Sequence, residues 1–278
     1  ALIEDVKKIK GDIMILGAAG KMGPTLCVLA KKACEAAGID KKIYGVSRGS
    51  DEIAVKLMED NGIEVIKADL LDKEKLYALP NAENIIYMAG KKFGTKGNEW
   101  QTWAMNSTLP AFVADKFKKS NIVVFSSGNI YPIVPINGGG CDESCRPLPN
   151  GEYAMSCLAR ERAFEYAANT FGTNVFIYRL NFAIDLRYGV LFDLADKILK
   201  GEAISLATPV FNFIWQGSAN EMAIRGLLHA SSPATVMNIT GPETVSVKKA
   251  AIELGGYLGK EPIFENECGS DAYLNDAS

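Results

Sequence analysis

A glycine-rich turn follows the first buried strand that the sequence predicts. The apolar run DIMILG, residues 12–17, predicts that strand, and a helical pattern begins a few residues later. Small residues let the backbone turn sharply and approach a pyrophosphate, which then lies at the N-terminus of the next helix. The residues expected to line the pyrophosphate are Gly17, Ala19, Gly20, Lys21, Met22 and Gly23. The alternative is an ordinary tight turn between strand and helix.

The ends of the next two predicted strands bear on the choice of cofactor. An acid after the second strand would hydrogen-bond the adenosine ribose of NAD, but this chain has Ser47 and Arg48 there. A guanidinium suits the 2′-phosphate of NADP, so we expect NAD(P) to bind with NADP slightly preferred. Arg48 could instead be a solvated loop charge. Asp69, after the third strand, could accept a hydrogen bond from adenine or cap a helix.

A third group of reactive residues lies in GEYAMSCLARE, residues 151–161, which places Tyr153 one helical turn before Cys157. Side chains at i and i+4 share a helix face, so these two should lie together. A phenol without a nearby cation has a pKa of about 10 and is a poor base at neutral pH. We expect the pKa of Tyr153 to stay close to that value, and Arg160 to point elsewhere on the helix. Cys157 could be a nucleophile or a small buried filler.

Alternating strands and helices must position these residues. Six short apolar runs alternate with helical patterns up to residue 180, which predicts βαβ units and a parallel sheet. Pro110 lies inside the long helical pattern 99–120 and should kink or offset it. We therefore predict an α/β protein with a Rossmann-like doubly wound parallel sheet and a smaller C-terminal substrate-binding portion. Residues 1–180 would form the NAD(P)-binding domain, and 181–278 mainly the substrate-binding portion, with some segments returning to the sheet.

Composition excludes several classes of protein. The 278 residues have a net charge of −3 with Lys and Arg scattered, which argues against nucleic-acid and anionic-membrane partners. No apolar run approaches the roughly 20 residues that span a bilayer, and no signal-peptide pattern opens the chain, so we expect a cytoplasmic protein. His229 is the only histidine, which rules out a multi-histidine metal site. Cys141 and Cys145 support a metal only weakly, and we expect none.

With these residues in view, the chain resembles the extended short-chain dehydrogenase/reductases, and among them the NAD(P)-dependent epimerase/dehydratase family, over nearly its whole length. The matching motifs are Gly17, Gly20 and Gly23; Asp69-Leu70; Met88-Ala89-Gly90; Asn106; Ser126-Ser127-Gly128-Asn129-Ile130-Tyr131; and Tyr153 through Cys157 with Glu161. The resemblance implies that the cofactor also contacts Leu70, Met88, Ala89, Gly90 and Lys91.

The resemblance also implies a chemistry. Tyr153 would be the acid/base, Ser127 would hold the substrate oxygen, and Asn106 would be a structural or proton-relay residue. In that family a lysine four residues after the tyrosine binds the nicotinamide ribose and lowers the pKa of the tyrosine. Cys157 stands at that position and cannot supply the cation. Lys91 and Lys92, directly after the fourth strand, could replace it or could serve only solubility.

Two functions stay open on the sequence. One is an NAD(P)-dependent epimerase/dehydratase or oxidoreductase with an atypical site, acting on a sugar-like or carbonyl substrate. The other is an NAD(P)-binding sensor without turnover, although a sensor needs neither Ser127 nor Tyr153. Asn181 lies one position earlier than the asparagine that holds the nucleotide in the family, so a nucleotide-sugar is one substrate class among others. We expect a small-molecule substrate, and a homodimer is one expected assembly. The resemblance further implies a helix beyond residue 278.

Overall fold

The computed structural model describes residues 1–92 and 94–277. Its strands, in chain order, are β1 (Ile13–Leu16), β2 (Ile43–Ser47), β3 (Glu64–Lys67), β4 (Asn84–Tyr87), β5 (Asn121–Ser127), β6 (Val134–Pro135), β7 (Asn174–Leu180), β8 (Ala183–Ile184), β9 (Ala203–Ser205), β10 (Val210–Phe211), β11 (Ile214–Trp215), β12 (Thr235–Ile239), β13 (Val245–Ser246), β14 (Ile263–Glu265) and β15 (Asp271–Ala272).

The helices are α1 (Leu2–Val6), α2 (Gly23–Ala36), α3 (Glu52–Glu59), α4 (Lys73–Ala78), α5 (Glu99–Trp103), α6 (Leu109–Lys116), α7 (Gly151–Phe171), α8 (Val190–Lys200), α9 (Gln216–Gly226) and α10 (Val247–Leu258). A π-helical turn, Ala104–Thr108, joins α5 to α6, and a 3₁₀ turn, Gly128–Ile130, follows β5. Among the described residues, no helix combines the length and apolar content that crossing a bilayer would require.

A seven-stranded sheet organises the chain, with strand order β12, β7, β5, β4, β1, β2, β3. Strands β1 to β5 pair in parallel. Every residue of β1, β2 and β4 is buried, which explains why these strands appear in the sequence as continuous apolar runs. The predicted Rossmann-like parallel sheet is confirmed. Six of its strands lie within the six predicted apolar runs, and the seventh, β12, comes after residue 180.

The chain divides into two compact units. The first comprises Ala1–Ser127, Asn150–Tyr178 and Asn220–Met237, and the second comprises Gly128–Pro149, Arg179–Ala219 and Asn238–Ser278. The unit that holds most of the sheet therefore includes a segment well beyond residue 180 and omits the loop after β5. The assignment of cofactor and substrate binding to separate parts of the chain stays a prediction.

The core of the first unit fixes the position of helix α7. Phe164 of α7 packs on Tyr87 of β4 with ring centroids 5.4 Å apart, and both belong to a buried apolar cluster that includes Val124 of β5. The helix ends at Gly172, whose φ of 70° is the left-handed conformation that glycine adopts without strain. Anchored in this way, the first turns of α7 lie beside the ends of β4 and β5.

The π-helical turn interrupts the long helix that the sequence predicts over 99–120. Pro110 begins the second half, near the start of α6. A proline has no N–H to donate to the carbonyl four residues earlier, which here belongs to Asn106. A wider π turn accommodates this break and often occurs at functional sites. The predicted offset near Pro110 is therefore present, and Asn106 lies within it.

The second unit has its own, smaller core. Helices α8 and α10 contribute Leu194, Ile198, Val247 and Ala251 to a buried cluster with Phe211 of β10. Four two-stranded sheets, β10 with β13, β11 with β8, β14 with β9 and β15 with β6, complete its regular structure within the described residues. Strands of two or three residues are too short to show a period, so most of them leave no signal in the sequence.

Candidate functional site

Two of the three motif glycines are required by the fold itself. Gly17 has a φ of 89°, and a Cβ there would lie 2.7 Å from the backbone nitrogen of Ala89. A Cβ at Gly23 would lie 2.2 Å from the carbonyl oxygen of Ala18. Neither position has room for a side chain, because the turn is held closely against β4 and the start of α2 is held closely against the turn.

Gly20 is different, because the protein around it leaves it open. It is exposed, and a Cβ there would meet only the carbonyl oxygen of Gly17, at 3.4 Å, which is an ordinary contact. Helix α2 begins three residues later, and no side chain caps its first turn. An open cradle of small residues at an uncapped helix start fits the phosphates of a dinucleotide.

A cleft of about 240 Å³ lies along the carboxyl ends of β1 to β4. It is lined by Gly17, Ala19, Gly20, Ser47, Arg48, Ser50, Asp51, Ala68, Asp69, Leu70, Met88, Ala89, Gly90 and Met105. Most of the residues predicted to bind the cofactor are thus brought together. The predicted residues that do not line it are Lys21, Met22, Gly23 and Lys91. The sequence does not point to four further lining residues, Ser50, Asp51, Ala68 and Met105. The first three lie one to three positions from a predicted residue, and Met105 belongs to the π-helical turn.

Charged side chains of both signs line the part of this cleft beside the ends of β2 and β3. Arg48 is exposed, and Asp51 caps α3 by accepting a hydrogen bond from the Ala54 amide at 2.9 Å. Asp69 accepts one from the Leu71 amide at 3.0 Å. The N-cap of α4 is Asp72, so the alternative that Asp69 caps this helix is wrong.

Ser127, Tyr153 and Cys157 lie together at the end of β5 and the start of α7. The side chains of Ser127 and Cys157 lie close enough to the phenol of Tyr153 to act on its pKa. Part of Tyr153 reaches the surface, whereas its phenol oxygen is enclosed by protein atoms, and Cys157 has no exposed area. Complete burial favours Cys157 as a filler rather than a nucleophile.

The acidity of Tyr153 differs from the expectation. Burial is the main cause that raises the pKa of Tyr153 above its usual value, and the Cys157 thiol adds to the rise. The Arg160 guanidinium acts in the opposite direction. The expectation that this pKa stays close to that of a free tyrosine is therefore wrong, because the position is enclosed.

Asn106 uses its whole side chain to join three elements. Its amide nitrogen donates to the Lys91 carbonyl at 2.9 Å and to the Ser156 hydroxyl at 3.0 Å. Its carbonyl oxygen accepts from the Lys91 amide and from Arg160, both at 2.8 Å. All the hydrogen-bonding capacity of an asparagine is satisfied here, so the geometry gives Asn106 a structural role.

Arg160 does not point away from the site, and the sequence expectation for it is wrong. It is only 6% exposed, and its guanidinium donates to the Phe125 carbonyl at 2.6 Å as well as to Asn106. The physical reason is the helical period: Arg160 lies three residues after Cys157 and seven after Tyr153, and both spacings return to the same face of a helix. The spacing in the sequence contained this signal.

The two lysines after β4 have different surroundings. The Lys91 ammonium donates to the Gln101 side chain. The Lys92 ammonium lies 5.9 Å from the centre of the Tyr153 ring. Of these two candidates to replace the missing lysine, Lys92 is the one placed near the tyrosine.

Comparison with known proteins identifies the family. The model of the NAD dependent epimerase/dehydratase family matches residues 13–239. The chain belongs to this family. The match spans the sheet, the glycine-rich turn and the Ser127–Tyr153 pair, which confirms the resemblance drawn from the motifs.

Solved structures share the fold of this epimerase/dehydratase family member. The UDP-glucose 4-epimerase of Thermus thermophilus, in complex with NAD, superposes with a TM-score of 0.74 at 18% identity, over 96% of this chain and 90% of that chain. The UDP-glucuronic acid 4-epimerase of Bacillus cereus, with UDP-glucuronic acid and NAD, gives 0.77 at 16% identity, over 96% and 90%. The Bordetella bronchiseptica enzyme WbmG, with NAD and UDP, gives 0.78 at 16%, over 98% and 86%. No curated protein matches the chain in sequence.

The side chain of Asn181 is buried and hydrogen-bonded within the second unit of this family member. It is 2% exposed, and its side-chain nitrogen donates to the Asn212 side chain at 2.6 Å. Phe182, the next residue, has a φ of 46°, a conformation that a non-glycine residue rarely adopts. The shifted asparagine therefore serves the local structure around a strained backbone position.

The remaining candidate ligands do not form a metal site. Within residues 1–92 and 94–277, no group of three or more His, Cys, Asp or Glu side chains is arranged to hold a metal ion. All six cysteines are free. Cys141 and Cys145 contact each other, and burial together with this contact raises the pKa of Cys141 to about 11.

Proposed function

We propose that this protein is an NAD(P)-dependent epimerase/dehydratase or oxidoreductase acting on a sugar-like or carbonyl substrate, with an atypical active site. The observation that carries the proposal is the neighbouring pair of Ser127 and Tyr153, in the same compact unit as the glycine-rich cleft. A fold that only stored a nucleotide would need the cleft but not this pair. When bound, a nicotinamide cofactor would supply the hydride acceptor or donor.

The residues of the pair would divide the work. The Ser127 hydroxyl would hold the substrate oxygen by a hydrogen bond, and Tyr153 would give a proton to that oxygen or take one from it. Because the pKa of Tyr153 is raised, its protonated form predominates at neutral pH. The tyrosine is then ready to act as an acid, which suits carbonyl reduction, whereas alcohol oxidation needs the scarce phenolate.

The cofactor would lie along the cleft. Gly17, Ala19 and Gly20 would face the pyrophosphate, and Met88, Ala89 and Gly90 would face the nicotinamide half, as their strand ends suggest. Ser47 and Arg48 would contact a 2′-phosphate, with NADP slightly preferred. The neighbouring structures contain NAD, so both cofactors belong in the test.

We expect Arg48→Ala to weaken NADP binding about 10-fold and to leave NAD binding unchanged, because an exposed charge-assisted contact contributes on the order of 1 kcal/mol. Titration calorimetry of both cofactors measures this. Arg162→Ala, which removes an exposed arginine on α7, serves as the control and should change neither affinity. Equal affinities of the unmodified protein for NAD and NADP would count against the assignment.

Nucleotide-sugars are the first substrates to assay, because the neighbours named above include enzymes of UDP-glucose and UDP-glucuronic acid. Simple sugars and small carbonyl compounds follow, since the family's asparagine is displaced to Asn181. Turnover is measured by the absorbance of the reduced cofactor and by chromatography of the product. Cofactor binding without turnover of any of these classes supports the second candidate function, an NAD(P)-binding sensor, for which the observation is the buried Cys157 in place of lysine.

We expect Cys157→Lys to separate these two functions. If the site is a weakened dehydrogenase, the added ammonium favours the phenolate of Tyr153 and raises turnover at neutral pH about 10-fold. Cys157→Met is the matched control, because it adds length without charge. The new lysine would be buried close to Arg160, so thermal unfolding must first show that the variant is folded. A folded Cys157→Lys variant with bound cofactor and no gain would favour the sensor.

A further inference from the structure

A buried positive charge lies on the same helix face as the proposed acid/base. Tyr153, Cys157 and Arg160 occupy positions i, i+4 and i+7 of α7, which lie along one side of a helix. Arg160 is almost fully buried, and arginines are rarely buried unless something around them compensates the charge. The surroundings of this guanidinium therefore indicate what it is for.

Its direct partners are neutral. Nη1 donates to the Phe125 carbonyl at 2.6 Å, and Nη2 donates to the Asn106 side chain at 2.8 Å. Nε is buried and has no hydrogen-bond partner among the described residues. The guanidinium also lies 5.8 Å from the centre of the Tyr87 ring, in the range of a cation–π contact. None of these contacts neutralises the charge.

Two of the groups whose ionisation would compensate this charge, Cys157 and Tyr153, belong to the proposed site. The ionisable groups that act on Arg160 are Cys157, Tyr87, Tyr153 and Glu161. Burial alone would lower the pKa of Arg160, because it disfavours the charged guanidinium. The four ionisable groups outweigh the effect of burial, so the pKa of Arg160 is raised above its usual value. The interaction is mutual: a group that stabilises the guanidinium when ionised is itself stabilised in its ionised form by the guanidinium.

The backbone is shaped to admit this side chain. A Cβ at Gly90 would lie 2.6 Å from Nη2 of Arg160 and 3.0 Å from the Asn106 carbonyl oxygen. Glycine after β4 therefore leaves the space that the guanidinium fills. Gly90 also lines the cofactor cleft, so Arg160 packs against the wall of that cleft from the protein side.

We propose that Arg160 is the positioning residue that replaces the missing lysine, acting through Tyr153 by stabilising its phenolate from two turns further along α7. This rests on the proposed function, in which Tyr153 is the acid/base. The groups facing the phenol are Ser127 of β5, Cys157 and Arg160 of α7, and Lys92 after β4. A guanidinium stays charged at every pH at which the protein is folded, so this cation, unlike a lysine, is not lost at alkaline pH.

The test measures the ionisation of residue 153 directly. Tyr153 is replaced in the full chain by 3,5-difluorotyrosine, whose more acidic phenol titrates within the pH range of a folded protein, and fluorine NMR follows the single site with NAD present. Arg160→Gln, which keeps a donor but removes the charge, should raise the titration midpoint by about one pH unit. Arg160→Lys keeps the charge and should restore most of that shift. Arg162→Gln, an exposed change on the same helix, should leave the midpoint where it is.

Several outcomes would overturn the proposal. One is an unchanged midpoint in folded Arg160→Gln, and another is the same shift in Arg160→Lys as in Arg160→Gln, since packing rather than charge would then be responsible. A large shift in Lys92→Met with none in Arg160→Gln would assign the role to Lys92. If Arg160→Gln does not fold, Gly90→Ala displaces the guanidinium instead. An unchanged titration midpoint in the Gly90→Ala variant would also overturn the proposal.

The titration needs no substrate, which keeps the two proposals apart. A shifted midpoint without turnover of any substrate contradicts the enzyme function and leaves the coupling between Arg160 and Tyr153 standing. Turnover with an unshifted midpoint contradicts the role of Arg160 alone.

Discussion

We expect Gly20→Val to lower the affinity for NAD and NADP by on the order of 100-fold or more while the chain stays folded. Gly20 is exposed and has no positive φ, and the protein leaves space around a Cβ at that position. The valine side chain would instead occupy the volume that the pyrophosphate needs. Titration calorimetry gives the loss of affinity, and thermal unfolding shows that stability is kept.

Two other glycines provide the controls. Gly256 lies on an exposed part of α10 with open space around it, so the Gly256→Val variant should bind both cofactors like the unmodified protein. Gly23→Val should fail for another reason, because its Cβ would be pressed against the Ala18 carbonyl and the chain would lose stability. Full cofactor affinity in a folded Gly20→Val variant would remove the glycine-rich turn from the proposed site.

The second large effect is expected from Tyr153→Phe. Removing the phenol oxygen should lower turnover by about 10²- to 10⁴-fold, which is the usual contribution of an acid/base group, and should leave cofactor affinity unchanged. The ring still fills its place, so only the interactions of the phenol oxygen with the Ser127 and Cys157 side chains are lost. Steady-state kinetics with any accepted substrate, beside calorimetry of the cofactor, measure both.

The raised pKa of Tyr153 also predicts how turnover should depend on pH. Because burial raises the pKa of Tyr153, the phenolate fraction increases with pH throughout the neutral range, and alcohol oxidation should rise with it and show no plateau near neutrality. Tyr153→Phe should abolish this rise. Tyr166→Phe, an exposed tyrosine on the same helix, should retain both rate and profile. Unreduced turnover in Tyr153→Phe would mean that another group moves the proton.

The fold could be predicted because its signals are local. Buried parallel strands such as β1 and β4 are short apolar runs, and Gly17 marks the turn after the first of them. The short helices α1 and α4 are not predicted, because five or six residues span fewer than two helical turns and cannot show a repeating pattern. Met105 lines the cleft but is not predicted, because it lies in the π-helical turn and not at the end of a strand.

The site was harder to predict, for two physical reasons. Arg160 is expected to point away from Cys157, although its spacings of three residues from Cys157 and seven from Tyr153 both place it on their face of the helix. The acidity of Tyr153 depends on how many protein atoms enclose its oxygen, and only the folded chain supplies that number. Spacing along a helix is readable from a sequence, whereas the dielectric surroundings of one oxygen are not.

The π turn at Ala104–Thr108 makes the length of this segment matter. A π turn contains one residue more than the α-helical turn it replaces, so a one-residue deletion there would restore a regular helix. The wider turn absorbs the extra residue, so the helices before and after it would keep nearly the same faces after such a deletion. The change would fall on the turn itself, where the Asn106 side chain joins Lys91, Ser156 and Arg160. A one-residue deletion should therefore leave the packing of α6 in place and cost the chain the hydrogen bonds of Asn106.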